Sequence, residues 1–465
     1  MAYRTLNPFT EQTVEVFAEH TDAEVERFLA LADALFRSDW SQGEIAPRLK
    51  VLQAMAGLLT ERSEDLARAM AEEMGKPVTQ GRQEIALCAA IADYYANQAA
   101  TFLKPQPLES DLGEAWTEFH PIGILLAVEP WNFPIYQLIR VVAPALAVGN
   151  PVMFKHSSSV PRCAAMFEEL VRDAGAPEGA VTNLYVSSDT VSDLIGDNRI
   201  RGVALTGSEG AGSKVAARAS EQLKPSTLEL GGSDVFVVLD DADIEKAVEA
   251  GVAARLSNAG QVCTGAKRFI VQRGVADAFV EGFVAGMHGA LAGDPLDPDT
   301  ELGPLSSEDA LNSLTRQVDE AVAAGARLLT GGRRMDRTGF FYEPTVLIDV
   351  SPDNPAYDQE FFGPVAQVFV VDDDDAVVAQ ANDSPFGLGG AIFAGDTQRA
   401  RRLASRIETG MVFINTATTS MPELPFGGVK RSGFGRELGE VGLKAFVNRK
   451  LVVVSSDTGG GAGIG

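Results

Sequence analysis

The chain's 465 residues, 45% hydrophobic and 22% charged, are too many for one core and imply more than one globular domain. The net charge of −25 argues against nucleic acid and anionic membranes as partners, since both recruit basic faces; it fits either a high-salt habitat or an ordinary acidic surface. Three cysteines over this length exclude a disulfide scaffold and point to a reducing compartment, the cytoplasm.

The first residues, Met1 to Pro8, hold no apolar secretion run, and no uncharged apolar stretch is long enough to span a bilayer. From Asp22 to Gln98 apolar residues recur at helical spacing, as in Val25, Phe28, Leu29, Ala32, Leu35 and Phe36, with Gly75-Lys76-Pro77 as punctuation. The pattern changes after Trp116. Short apolar runs at residues 123–128, 151–155, 180–185 and 202–206, separated by helical stretches, read as buried parallel strands. A second series follows Glu229, with strands over 234–239 and 267–271 and a helix over 247–256 between them. Such alternation predicts an α/β chain with two doubly wound parallel-sheet domains. Residues 116–120 and 450–454 read as strands outside both, and the glycine-rich end, 459–465, has no core-forming capacity and is expected to be mobile.

Cys263 lies in Ser257-Asn258-Ala259-Gly260-Gln261-Val262-Cys263-Thr264-Gly265, where small neighbours give a substrate access to a thiol. Glu229, opening Glu229-Leu230-Gly231-Gly232, offers a carboxylate that can take a proton from a thiol or a water. Cys88 and Cys163 sit in apolar helical stretches and read as core. Thr206-Gly207-Ser208-Glu209-Gly210-Ala211-Gly212 follows a strand and opens a helix, so its N–H groups could meet a pyrophosphate; without the G-x-G-x-x-G spacing, a plain strand–helix turn is equally open. Lys155 ends a strand, where ligands meet an open parallel sheet. His20, His120, His156 and His288 lack metal-ligand spacing, so no metal is expected.

Seven segments, in this order, resemble the aldehyde dehydrogenase superfamily over nearly the whole chain. They are Pro130-Trp131-Asn132-Phe133-Pro134, Phe154-Lys155-His156-Ser157, Thr206-Gly207-Ser208, Leu228-Glu229-Leu230-Gly231-Gly232, Gly260-Gln261-Val262-Cys263, Glu360-Phe361-Phe362-Gly363-Pro364 and Pro425-Phe426-Gly427-Gly428-Val429-Lys430. The resemblance implies a Rossmann-like cofactor domain (1–108 and 123–229), a catalytic domain (230–424), and a small β oligomerisation flap with a tail (109–122 and 445–465). It implies a homo-oligomer, dimer or tetramer. Cys263 becomes the nucleophile, Asn132 with the Cys263 N–H the oxyanion hole, and Glu229 the base that hydrolyses a thioester.

Cofactor contacts are implied at Trp131, Lys155, Ser157, Ser158, Gly207, Ser208, Gly212, Leu230, Glu360 and Phe362. Ser158 stands where many NAD-selective relatives carry a Glu for the ribose, which leads to NADP, with NAD as the alternative. The segments are most similar to bacterial succinate-semialdehyde dehydrogenases. In that group's pattern Arg140 is a substrate-carboxylate residue, while Ser257 replaces a second Arg found in some members. Ser257 and Ser420 are then hydrogen-bond donors to the substrate. The alternatives are another aliphatic, semialdehyde or aromatic aldehyde, or a non-catalytic binding or structural member.

Overall fold

The computed structural model describes residues 3–455; the glycine-rich end lies outside them. Six strands form the first sheet, in the order Gly433–Phe434, Ser226–Glu229, Ile200–Thr206, Ile124–Glu129, Val152–His156, Val181–Asn183. All but Gly433–Phe434 run parallel. The chain reverses direction of travel across the sheet between Ile124–Glu129 and Ile200–Thr206. Loops leaving the carboxyl ends of those two neighbours part there and open a crevice. The residues that leave these ends are Pro130 to Phe133 and Gly207-Ser208.

The second sheet has seven strands, in the order Arg327–Thr330, Thr345–Ile348, Val365–Val371, Ala266–Gln272, Asp234–Val238, Gly390–Phe393, Phe413–Ile414, parallel except for the first. Its core is a run of phenylalanines. Phe236 and Phe393 stack at 4.6 Å, and Phe269 and Phe283 lie 4.4 Å apart. The amino ends of Asp234–Val238, Ala266–Gln272 and Val365–Val371 are reached from Gly232, Cys263 and Gly363, so this sheet presents its strand starts where the first presents its strand ends. Gly232 packs so closely that a Cβ would lie 2.5 Å from the Cys263 carbonyl oxygen.

One helix sets the depth of the crevice. Pro134–Val148 begins with proline at its first turn, ends at Gly149 with φ 109°, and has every residue buried. A helix apolar on nearly every face belongs in a core, and Gln137 and Arg140 are the polar exceptions, three apart on one face. The buried Glu84 carboxylate accepts from the Ile135 and Tyr136 N–H groups at 2.9 and 3.0 Å, satisfying orphan donors at the positive end of the helix.

The expected α/β class with parallel sheets holds, and the helices fall where periodicity placed them: Asp22–Phe36, Ala46–Glu61, Ser63–Met74 and Val78–Phe102. Three features differ from expectation. Gln106–Leu108 pairs with Gly113–Pro121, which pairs with Val447–Ser455, so the flap sheet begins before residue 109. Residues 425–444, unassigned in the sequence reading, return a strand to the first sheet. An N-terminal hairpin, Tyr3–Asn7 with Gln12–Phe17, went unread; its second strand buries neither face, and Val14 and Val16 stand exposed.

The hairpin is pinned by Glu73, whose buried carboxylate accepts from Thr5 Oγ1 at 2.6 Å and from the Arg162 and Cys163 N–H groups at 2.9 and 2.8 Å. Glu73→Ala leaves these donors unmatched, at a cost of about 1–3 kcal/mol for each one left buried. Hydrogen exchange across Tyr3–Asn7 is expected to accelerate in this variant while exchange in Asp234–Val238 stays as in the wild type; equal protection of the hairpin would show that Glu73 does not hold it.

Candidate active site

Cys263 sits half-buried in the loop between the short 3-10 turn Ser257–Gly260 and the strand Ala266–Gln272. Asn258, Ala259 and Gly260 have φ of 51°, 52° and 75°. Left-handed backbone costs a non-glycine residue roughly 1–2 kcal/mol, so the loop stores strain. Gly260 also needs its missing side chain, since a Cβ would meet the Gly363 carbonyl at 2.2 Å.

Side-chain donors hold this conformation at nearly every carbonyl. Asn258 O accepts from Gln261 Nε2 at 3.1 Å, and Gly260 O from the buried Arg255 guanidinium. Gln261 O accepts from Asn132 Nδ2 at 3.0 Å and Asn258 Nδ2 at 3.3 Å. Val262 O and Cys263 O both accept from Lys267 Nζ at 2.7 Å. Arg255, at the end of the preceding helix, thus braces the loop from below, donating to the Gly260 and Ala266 carbonyls.

Asn132 Oδ1 accepts from Gln137 Nε2 at 3.2 Å, which fixes the amide so that one Nδ2 hydrogen serves Gln261 O and the other remains. Among the described residues the Cys263 N–H makes no backbone hydrogen bond. Asn132 and Cys263 line the same cleft.

Two clefts meet at Cys263. The first encloses about 740 Å³ and is lined by Trp131, Asn132, Gly207, Ser208, Leu230, Glu360 and Phe362 among others. Trp131 and Phe362 meet edge to face at 5.7 Å. Glu360 Oε1 accepts from the Gly232 N–H at 3.2 Å and lies 3.1 Å from Lys267 Nζ. Ser208 Oγ caps the helix Glu209–Glu221, accepting from Ala211 N. A Cβ on Gly231 would come within 2.5 Å of Glu360 Oε2, so this cradle depends on glycine. An extended, hydroxyl-rich ligand with a phosphate at the Gly207–Ser208 end fits this donor and acceptor set. Gly212 packs against Leu230, whose Cδ2 lies 2.5 Å from where a Cβ would stand, so its smallness lets the helix approach Leu230.

Lys155 lies at the outer end of the first sheet, its Nζ 5.6 Å from the Tyr3 ring centre. Burial lowers its pKa, and Glu19 works in the opposite sense. Ser157 Oγ pairs with Ser159 Oγ at 2.9 Å, and the Ser158 carbonyl accepts from Arg4 N at 3.1 Å. Glu19 and Arg4 arrive from the N-terminal segment, too far along the chain for spacing to have associated them with Lys155.

The second cleft, about 1070 Å³, is lined by Phe133, Tyr136, Arg140, Ser257, Ser420, Phe426 and Cys263, among others. Arg140 does not stand free in it. Its guanidinium lies between the Tyr136 and Phe426 rings, 4.7 Å from each, donates to Gln137 Oε1 and to Thr206 Oγ1 at 3.1 Å, and is 2.9 Å from Glu437 Oε2. The Glu437 contact is electrostatic, for the Nε–H is not aligned as a hydrogen bond. Tyr136 OH donates to Ser420 Oγ at 2.7 Å.

Glu229 is buried, and neither carboxylate oxygen has a hydrogen-bond partner among the described residues. Its Oε1 lies beside Gly427, 2.5 Å from where a Cβ on that glycine would stand. Burial and then Glu437 raise its pKa, against Arg140 and Arg436; Glu129 is raised likewise by burial and then Glu437. Burial pushes the Cys263 thiol up to about 11, with Lys267 and then Arg140 pulling the other way. Lys267 and Glu437 were missed by sequence reading. A lysine inside the apolar run Ala266-Lys267-Arg268-Phe269-Ile270-Val271 was the available signal for the first.

The family model described as the aldehyde dehydrogenase family matches residues 1–452. A succinate-semialdehyde dehydrogenase [NADP(+)] of Deinococcus radiodurans is 46% identical over 450 residues, covering 97% of this chain and 94% of that one. A probable enzyme of the same name from Synechocystis is 44% identical over 455 residues, covering 98% and 100%. The crystal structure of succinic semialdehyde dehydrogenase from Streptococcus pyogenes in complex with NADP+ superposes with a TM-score of 0.96 at 45% identity, covering 98% of this chain and all of that one.

Removing Arg140 tests the buried charge balance. In Arg140→Met, Glu437 loses its nearby cation, and breaking such a pair costs about 3–5 kcal/mol. A carboxyl whose folded-state pKa is raised loses stability as pH rises toward that value. The melting-temperature deficit of Arg140→Met is therefore expected to widen from about pH 5 to about pH 8; a deficit independent of pH would show that Glu437 is not balanced by Arg140.

Proposed function

The chain belongs to the aldehyde dehydrogenase family, and on that premise we propose that it oxidises succinate semialdehyde to succinate with NADP+ as the acceptor. The observation that carries this reading is the position of Cys263, at the junction of two clefts of different chemistry. One has the glycine, serine and carboxylate lining suited to a dinucleotide; the other holds an arginine beside two aromatic rings. The named activities of the relatives from Deinococcus radiodurans and Synechocystis, and the NADP+ in the Streptococcus pyogenes structure, support the same substrate and cofactor.

The Cys263 thiolate adds to the aldehyde carbon, and the oxygen that gains charge is held by the Cys263 N–H and Asn132 Nδ2. Donors so placed contribute about 3–4 kcal/mol to the transition state. When bound, the dinucleotide supplies the hydride acceptor. Trp131, Gly207, Ser208, Leu230, Glu360 and Phe362 would hold its nicotinamide and phosphate portions, and Lys155, Ser157 and Ser158 its adenosine ribose. The thioester on Cys263 is cleaved by a water that Glu229 deprotonates. Its raised pKa makes the carboxylate a stronger base for that step. Arg140, with Ser257 and Ser420, holds the far carboxylate of the substrate. Its Nε and Nη2 are engaged by Glu437, Gln137 and Thr206, so this grip requires the guanidinium to give up one of those contacts.

The flap carries exposed Leu108, Leu451, Val453 and Val454, which supports a homo-oligomer assembled through that sheet. Among the described residues no helix is long and apolar enough to cross a membrane, in keeping with the cytoplasmic site we favour.

Steady-state rates with a panel of aldehydes test the substrate. Succinate semialdehyde is expected to exceed uncharged aldehydes of equal length by at least about tenfold in kcat/KM, the worth of one well-placed polar contact. Equal turnover of the uncharged compounds would overturn the substrate assignment. The cofactor is tested by Ser158→Glu, which places a carboxylate beside a 2′-phosphate. Its kcat/KM for NADP+ should fall about tenfold or more while that for NAD+ falls less; parallel losses would remove Ser158 from cofactor selection.

A further inference from the structure

Lys267 is a fully buried lysine four residues after Cys263, and its side chain runs back beneath the cysteine loop. Its Nζ donates to the Val262 and Cys263 carbonyls, each at 2.7 Å, and forms an ion pair with Glu360 Oε1 at 3.1 Å. Burial lowers the Lys267 pKa, as does the nearby Arg255, while Glu360, Asp234 and Cys263 oppose it. The carboxylate and the two carbonyl oxygens are the contacts that favour the charged ammonium.

The charged groups facing Cys263 come from four elements. They are Lys267 on its own strand, Arg140 on Pro134–Val148, Glu360 before Val365–Val371, and Asp234 at the start of Asp234–Val238. Arg140 is already balanced by Glu437, so its field at the thiol is partly spent. Lys267 alone is bonded to the cysteine's own carbonyl.

We propose that Lys267 is a positioning residue for the nucleophile: it clamps the Cys263 loop through two carbonyls and supplies the fixed positive charge that favours the thiolate, with Glu360 as the counter-charge that moderates it. Glu360 also lines the dinucleotide cleft, so the carboxylate offered to the cofactor and the cation beneath the nucleophile form one charge pair. The proposal rests on the reading of Cys263 as the nucleophile.

The test uses the full-length enzyme without substrate or dinucleotide, and follows alkylation of Cys263 by iodoacetamide from about pH 6 to about pH 10, with the modified peptide identified by mass spectrometry. Labelling directed elsewhere in the wild type, with Cys263→Ala labelled at the same rate, would refute the nucleophile reading itself. With Cys263 labelled, Lys267→Met and Lys267→Gln are expected to move the profile upward by about one pH unit, so that labelling near pH 7 slows about tenfold. Lys267→Gln keeps an N–H donor for the carbonyls but no charge, which separates field from clamp. Glu360→Gln keeps an acceptor for Gly232 N and should move the profile the other way. Melting temperatures accompany every variant, and if the Lys267 variants do not fold, the sign of the Glu360→Gln shift decides. Unmoved profiles in Lys267→Gln and Glu360→Gln, or shifts of the same sign in both, would overturn the proposal.

Discussion

A strained loop held at its carbonyls is the constraint on which this site depends. Asn258, Ala259 and Gly260 turn through left-handed backbone that the sequence alone would not choose. The turn persists because amide and cationic side chains meet the carbonyls of Asn258, Gly260, Gln261, Val262 and Cys263. The donors from outside the turn come from different places: Asn132 from the crevice of the first sheet, Arg255 from the preceding helix, Lys267 from the following strand. The nucleophile is therefore positioned by both sheets at once, and a catalytic group placed this way loses little freedom when it reacts.

The same convergence explains the electrostatics. Strand ends of the first sheet and strand starts of the second face each other across a narrow, largely buried seam, so ionisable groups there are desolvated whichever sheet they come from. Glu129, Glu229 and Glu437 gather around Arg140 on one side of the thiol, and Asp234, Glu360 and Lys267 on the other. Burial raises the pKa of the three glutamates, and it raises Asp234 to about 7. Carboxyls that burial keeps from ionising readily limit the negative charge stored in the seam.

The fold was legible where physics is local. Buried parallel strands announce themselves as apolar runs, and 124–129, 152–156 and 266–272 fall within a residue or two of where the runs lie. Cys263, Asn132 and Glu360 were singled out because glycine and aromatic neighbours mark them, and all three line one cleft. What escaped depends on contacts between distant segments. Glu437 comes from the returning segment after the second sheet, and Glu19 from the N-terminal arm, so no spacing could tie them to Arg140 or Lys155. Gly212 lies against Leu230, a contact that no spacing announces. Arg140 and Glu229 were singled out as residues, but not their partners: the arginine is balanced by Glu437, and the Glu229 carboxylate lies beside Gly427. Side-chain direction is set by tertiary charge balance, which a linear pattern does not encode.

The account's central claim is that Cys263 carries the acyl group between the two clefts and that Glu229 releases it. The direct measurement is acid-quenched peptide mass spectrometry of Glu229→Gln mixed with succinate semialdehyde and NADP+. The account predicts a succinyl thioester on Cys263 that accumulates to one per chain, with Cys88 and Cys163 unmodified and steady-state turnover reduced by at least about a hundredfold. Acid formed at the wild-type rate with no acyl group on Cys263 would contradict it.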